Sequence, residues 1–171
     1  MRRTIRTLSS IVALLMLASP ALAGDLGSNA NPSVSLKGGW WDSEVSGVDG
    51  GGAFGAEFAI DNLLAAPEFG KWHHMFSWNH TDHDGLELNS AEWNMHWMLE
   101  ARPGLWMGAG PGIGWVWSDG HGASDSAALQ LGASAHNVVG HAIFGVETRY
   151  QWTESGSGDN WLTMLSVGYR F

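Results

Sequence analysis

Apolar side chains fall at every second position through the closing eleven residues, and the same period of two recurs in most of seven earlier stretches of the chain. In that last stretch Trp161, Leu165, Val167, Tyr169 and Phe171 share one face, while Ser166, Gly168 and Arg170 share the other. Clusters of Gly, Pro, Asn, Asp and Ser separate the stretches and read as turns. The expected strands are 34–42, 52–60, 71–82, 88–99, 105–117, 126–135, 142–152 and 161–171.

The two faces differ consistently. One carries residues such as Leu36, Trp40, Phe54, Phe76, Trp97, Ile113, Leu131 and Phe144, and within the expected strands it carries no lysine, arginine or acid. Trp72, Trp117, Trp152, Trp161 and Tyr169 fall near strand ends, as rings anchored in two headgroup layers would. The other face holds Lys37, Glu57, Lys71, Glu92, Glu100, Glu147, Arg149 and Arg170, four of each sign. Such groups tolerate burial only when paired and hydrogen-bonded. Matched numbers predict an interior network of ion pairs, with Gly108, Gly110, Gly112 and Gly114 making room across the bore.

Each strand is near the roughly 9 to 11 residues that cross a bilayer at a tilt, and an even count closes the sheet with both termini on one side. The fold class is therefore all-β: an eight-stranded antiparallel up-and-down transmembrane β-barrel. Closure matters because an unpaired backbone amide in hydrocarbon costs several kcal/mol. A soluble eight-stranded barrel would turn the apolar face inward. Here the polar face is poor in lysine and the tryptophan-rich face is too bulky for so small a bore.

The front of the chain places it outside the cytoplasm. Arg2, Arg3 and Arg6, the apolar run 11–18 and Ala21-Leu22-Ala23 have the form of a secretory signal, with cleavage expected after Ala23. Residues 24–171 then form one domain. Removing 23 of the 171 residues leaves 148, with five Lys and Arg against seventeen Asp and Glu, a formal charge of −12. That sign argues against nucleic acid as a partner. There is no cysteine, so no disulfide staples the fold.

With both termini periplasmic, the outward connections 43–51, 83–87, 118–125 and 153–160 contain Glu44, Asp49, Asp84, Glu87, Asp119, Asp125, Glu154 and Asp159 and no Lys or Arg, with Asp42 and Asp82 at their bases. Such a rim either recruits divalent cations, and through them lipopolysaccharide phosphates, or is simply solvated. The histidines supply no defined ligand set. His73 and His74 point to opposite faces, His80 and Asp82 share a face with His83 past the strand end, and His136 and His141 flank the turn 137–140. No metal and no cofactor is expected.

Arg102-Pro103-Gly104-Leu105-Trp106-Met107-Gly108-Ala109-Gly110-Pro111-Gly112-Ile113-Gly114-Trp115, Gly145-Val146-Glu147-Thr148-Arg149-Tyr150 and Val167-Gly168-Tyr169-Arg170-Phe171 resemble the small OmpA-like and OmpX-like barrel domains, often labelled porin-family outer-membrane proteins. The chain end is similar to the terminal assembly signal of bacterial outer-membrane barrels, carried here by Tyr169 and Phe171. This resemblance implies a monomer in the Gram-negative outer membrane, with outer-membrane lipids, lipopolysaccharide and the barrel-assembly machinery as partners. It implies a structural or surface-interaction role such as membrane integrity, adhesion or ligand binding by the acidic loops. The end of the chain also looks like the lipid A 3-O-deacylases, through Arg149-Tyr150-Gln151 and Tyr169-Arg170-Phe171. That family has a His-x-Ser pair after its Tyr-Gln, whereas this chain reads Trp152-Thr153-Glu154. His121 and Ser124 lie close in sequence but no strand fixes an orienting acid for them. The chain is therefore not expected to be an enzyme. Lipid A modification and small-solute conduction are the alternatives.

Overall fold

A computed structural model describes residues 30–44, 47, 49–63, 67–119, 124–154 and 159–171. The expected signal, residues 1–23, and His121, close in sequence to Ser124, lie outside the described residues. Eight strands follow in order: β1 Ser33–Ser43, β2 Gly51–Asp61, β3 Lys71–His83, β4 Leu86–Arg102, β5 Leu105–Asp119, β6 Ser126–Val139, β7 Ala142–Thr153 and β8 Asn160–Arg170. Each pairs antiparallel with its chain neighbours, and β1 pairs with β8, so the sheet closes as an up-and-down barrel. Phe171 continues that seam, its amide donating to the Pro32 carbonyl at 3.0 Å.

Several strands are longer than the sequence suggested, with β4 reaching 17 residues. Ladder pairing carries them beyond the expected ends, so four rim acids belong to strand ends. Asp82 and Glu87 are register partners, and Glu87 pairs again with Asp119. The expectation that no acid falls on the apolar face is thus corrected at the outward ends, where Asp42, Asp82, Glu87 and Asp119 share its parity. The second outward connection shrinks to Asp84-Gly85, whose φ values of +51° and +77° make the two-residue hairpin turn that matches strand twist. At the opposite end β6 runs on to Val139, and His136 lies inside the bore and not beside a turn.

Polarity is inverted relative to a water-soluble protein. Leu165 is 67 % exposed and Leu129 64 %, while Arg149 is 3 % and Lys37 5 %. This arrangement is favourable only where the surrounding solvent is acyl chain. Hydroxyls on that face satisfy one another: Thr148 Oγ1 and Thr163 Oγ1 lie 3.0 Å apart.

Gly108, Gly110 and Gly112 let β5 approach β4 closely. A Cβ on Gly110 would overlap the Met95 carbonyl oxygen, and one on Gly112 the Asn94 side chain. These interior positions must stay bare for the wall to close at this curvature.

Candidate functional site

The bore is filled in layers. Towards the outward end Trp41, Leu86, Leu88, Val116, Leu162 and Met164 pack as an apolar cluster, each at most 2 % exposed. A wholly polar filling, as the sequence suggested, is therefore corrected. The longer β4 brings Leu86 and Leu88 to inward parity, and Leu162 and Met164 occupy the inward positions of β8.

Beneath this layer lies the central network. Lys37 Nζ is 3.2 Å from Glu57 Oε2 and pairs closely with Glu147. Arg149 pairs closely with Glu92 and reaches Glu147 Oε1 at 3.0 Å. Ser77 donates to Glu57 at 3.0 Å, Ser90 donates to Glu92, and Gln130 donates to Gln151. Glu147 bridges the two cations, so the five charged groups from β1, β2, β4 and β7 form one connected unit. Its Lys37 side chain is fully buried, and those of Glu57 and Glu147 are at most 10 % exposed.

A second cluster occupies the end nearer the termini. Lys71 Nζ lies 3.0 Å from Asp61 Oδ2, 3.3 Å from His136 Nε2 and 4.4 Å from the Trp106 ring centroid. Asp61 Oδ1 is 2.7 Å from His73 Nδ1. The expected strand 52–60 ends one residue short of Asp61, which the structure adds to the interior. One further residue of β2 turns its carboxylate inward, and the i, i+2 spacing from Glu57 and Ala59 was the available signal.

Of the eight charged residues assigned to the interior, Lys37, Glu57, Glu92, Glu147 and Arg149 come together, and Lys71 joins Asp61. Glu100 and Arg170 stand apart at the mouth, near the ends of β4 and β8 on the side of the termini. Glu100 is exposed and accepts from the Gly104 amide at 2.8 Å. The Arg170 backbone amide donates to the His141 carbonyl at 2.8 Å, and its own carbonyl lies 2.8 Å from His141 Nδ1. Tyr169 and Phe171 lie on the outer face, their rings edge-on at 5.4 Å between centroids.

The rim presents Asp42, Glu44, Asp49, Asp82, Asp84, Glu87, Asp119, Asp125, Glu154 and Asp159 around the outward end, with no lysine or arginine. His83 Nε2 sits 3.3 Å from Asp84 Oδ2, and His80 Nδ1 sits 3.0 Å from Asn89 Oδ1. Among the described residues no three His, Asp or Glu side chains converge on a metal-sized point. The arrangement offers charge at its surface and a plug at its centre.

An antiparallel eight-stranded barrel with an apolar outside and ions inside has the fold of the small outer-membrane barrels. No protein-family model matches the chain, and no curated protein is similar to it in sequence. Solved structures are similar in fold. Neisserial surface protein A has a TM-score of 0.58 at 12 % identity over 81 % of this chain and 95 % of its own. The attachment invasion locus protein Ail of Yersinia pestis has 0.52 at 13 % identity over 84 % and 99 %. The outer membrane protein OprG of Pseudomonas aeruginosa has 0.52 at 13 % identity over 85 % and 98 %.

Proposed function

We propose that this protein is a resident barrel of the bacterial outer membrane that works by binding at its outward rim, without a solute pathway or a catalysed reaction. The observation that carries the reading is the contrast between a bore plugged by an apolar layer over ion pairs and a rim of ten acids with no lysine or arginine. Asp82 opposite Glu87, and Glu87 opposite Asp119, keep like charges on neighbouring strands, an arrangement that costs stability unless cations screen it. Divalent cations bound there would bridge to the phosphates of lipopolysaccharide. Attachment, the role in the name of the Yersinia pestis barrel, is of this surface kind.

The test combines two measurements on the refolded mature protein. In planar bilayers it is expected to give no discrete conductance. On lipopolysaccharide-containing vesicles it is expected to retain calcium at the rim, with retention reversed by chelator and weakened in the Asp82→Asn/Glu87→Gln variant. Well-defined channels would replace this reading with a porin, mass shifts of lipid A on expression would replace it with an enzyme, and calcium retention unchanged in the variant would remove the rim as the site.

A further inference from the structure

Counting both clusters and the mouth, the bore carries Lys37, Lys71, Arg149 and Arg170 against Glu57, Asp61, Glu92, Glu100 and Glu147. The balance apparent from the sequence fails by one carboxylate, and the surplus is local. In the central network three acids, Glu57, Glu92 and Glu147, share two cations, Lys37 and Arg149. An uncompensated charge in a low-dielectric interior costs several kcal/mol, so either a proton or a bound cation near Glu57 and Glu147 must offset it.

The structure holds a place for one. A cavity of about 30 Å³ lies against Glu57 and Glu147 on the side nearer the termini, with serine hydroxyls around it. That is room for a water-sized occupant. Ser33 and Ser35 line it at 3 % and 7 % exposure, which puts their hydroxyls within reach of whatever occupies it. Two glycines keep the space open: a Cβ on Gly168 would collide with Ser35 Oγ, and one on Gly145 would stand 2.5 Å from Ser166 Oγ.

We infer that this cavity binds a small monovalent cation of the sodium class, held by Glu57, Glu147 and the hydroxyls of Ser33 and Ser35. Oxygen donors, carboxylate and hydroxyl, suit a hard cation. The deficit is one unit, so a divalent ion would overshoot it. His73 and His136 also line the cavity, with Lys71 and Asp61 behind them. A bound proton is the competing way to offset the surplus carboxylate, and the experiment separates the two.

Urea unfolding of the refolded barrel in micelles is followed at constant ionic strength, exchanging sodium chloride for N-methyl-D-glucamine chloride, whose cation is too large for the cavity. At pH 8.5 the folded-to-unfolded ratio is expected to rise about tenfold for each tenfold increase in sodium above its dissociation constant. Glu57→Gln and Ser35→Ala are expected to flatten that dependence while remaining folded. Identical midpoints in the two salts at pH 8.5 would overturn the inference. So would a stability gained at pH 6 in both salts alike with no sodium effect, which assigns the compensation to a proton, or a sodium dependence unchanged in both variants.

Discussion

Replacing Arg149 with methionine tests the central network most severely. The guanidinium is 4 % exposed and serves Glu92 and Glu147, so its loss leaves three carboxylates around the single ammonium of Lys37. Stranding a buried partner in this way costs about 3–5 kcal/mol. At about 1.4 kcal/mol per factor of ten, the folding equilibrium should fall by about two to three and a half orders of magnitude. Glu57→Gln is the control that gives the number meaning. It removes the surplus acid, leaves two acids with two cations, and keeps an acceptor for Ser77, so it should shift stability by less than about 1 kcal/mol in sodium buffer. Both are read by urea titration of tryptophan fluorescence and by heat-modifiability on gels, with Arg149→Met/Glu92→Gln expected to recover part of the loss. The charge accounting is refuted if Arg149→Met unfolds with the parent, or if Glu57→Gln costs as much as Arg149→Met.

Other outcomes follow from single positions. Gly110→Ala should abolish the heat-modifiable folded species because its Cβ meets the Met95 carbonyl, whereas Gly38→Ala, with nothing within 4 Å of the new carbon, should stay within about 0.5 kcal/mol of the parent in the same titration. Thr163→Val should cost about 1–3 kcal/mol by leaving the Thr148 hydroxyl alone in hydrocarbon, and Thr148→Val/Thr163→Val should return close to parental stability. Deleting Phe171, which contributes one seam hydrogen bond and an edge-on contact with Tyr169, should lower the amount of assembled barrel in cells far more than it lowers the unfolding midpoint of refolded protein.

Alternation made the barrel legible. With a period of two and turn residues between segments, the chain has one way to keep Trp97, Ile113 and Leu131 together and Glu92, Arg149 and Lys37 together, and the exclusion of charge from the first set told which face meets lipid. Strand ends were less legible, because a ladder extends as far as its neighbour offers amides and carbonyls, a property of the pair and not of either sequence. That is why Asp61, one residue beyond the expected end of β2, and Leu86 and Leu88, ahead of or at the expected start of β4, changed the picture of the interior.

By itself, then, the sequence determined the architecture, the side that faces acyl chains and the acidity of the rim, since each follows from local order along one strand. Tertiary structure decided who neutralises whom. Lys37 meets Glu147 across 110 positions of chain because β1 lies beside β8 and β8 beside β7 in the closed sheet. Contacts across a bore depend on closure and stagger, so the apolar seal, the odd carboxylate and the serine-lined cavity appear only when all eight strands are in place.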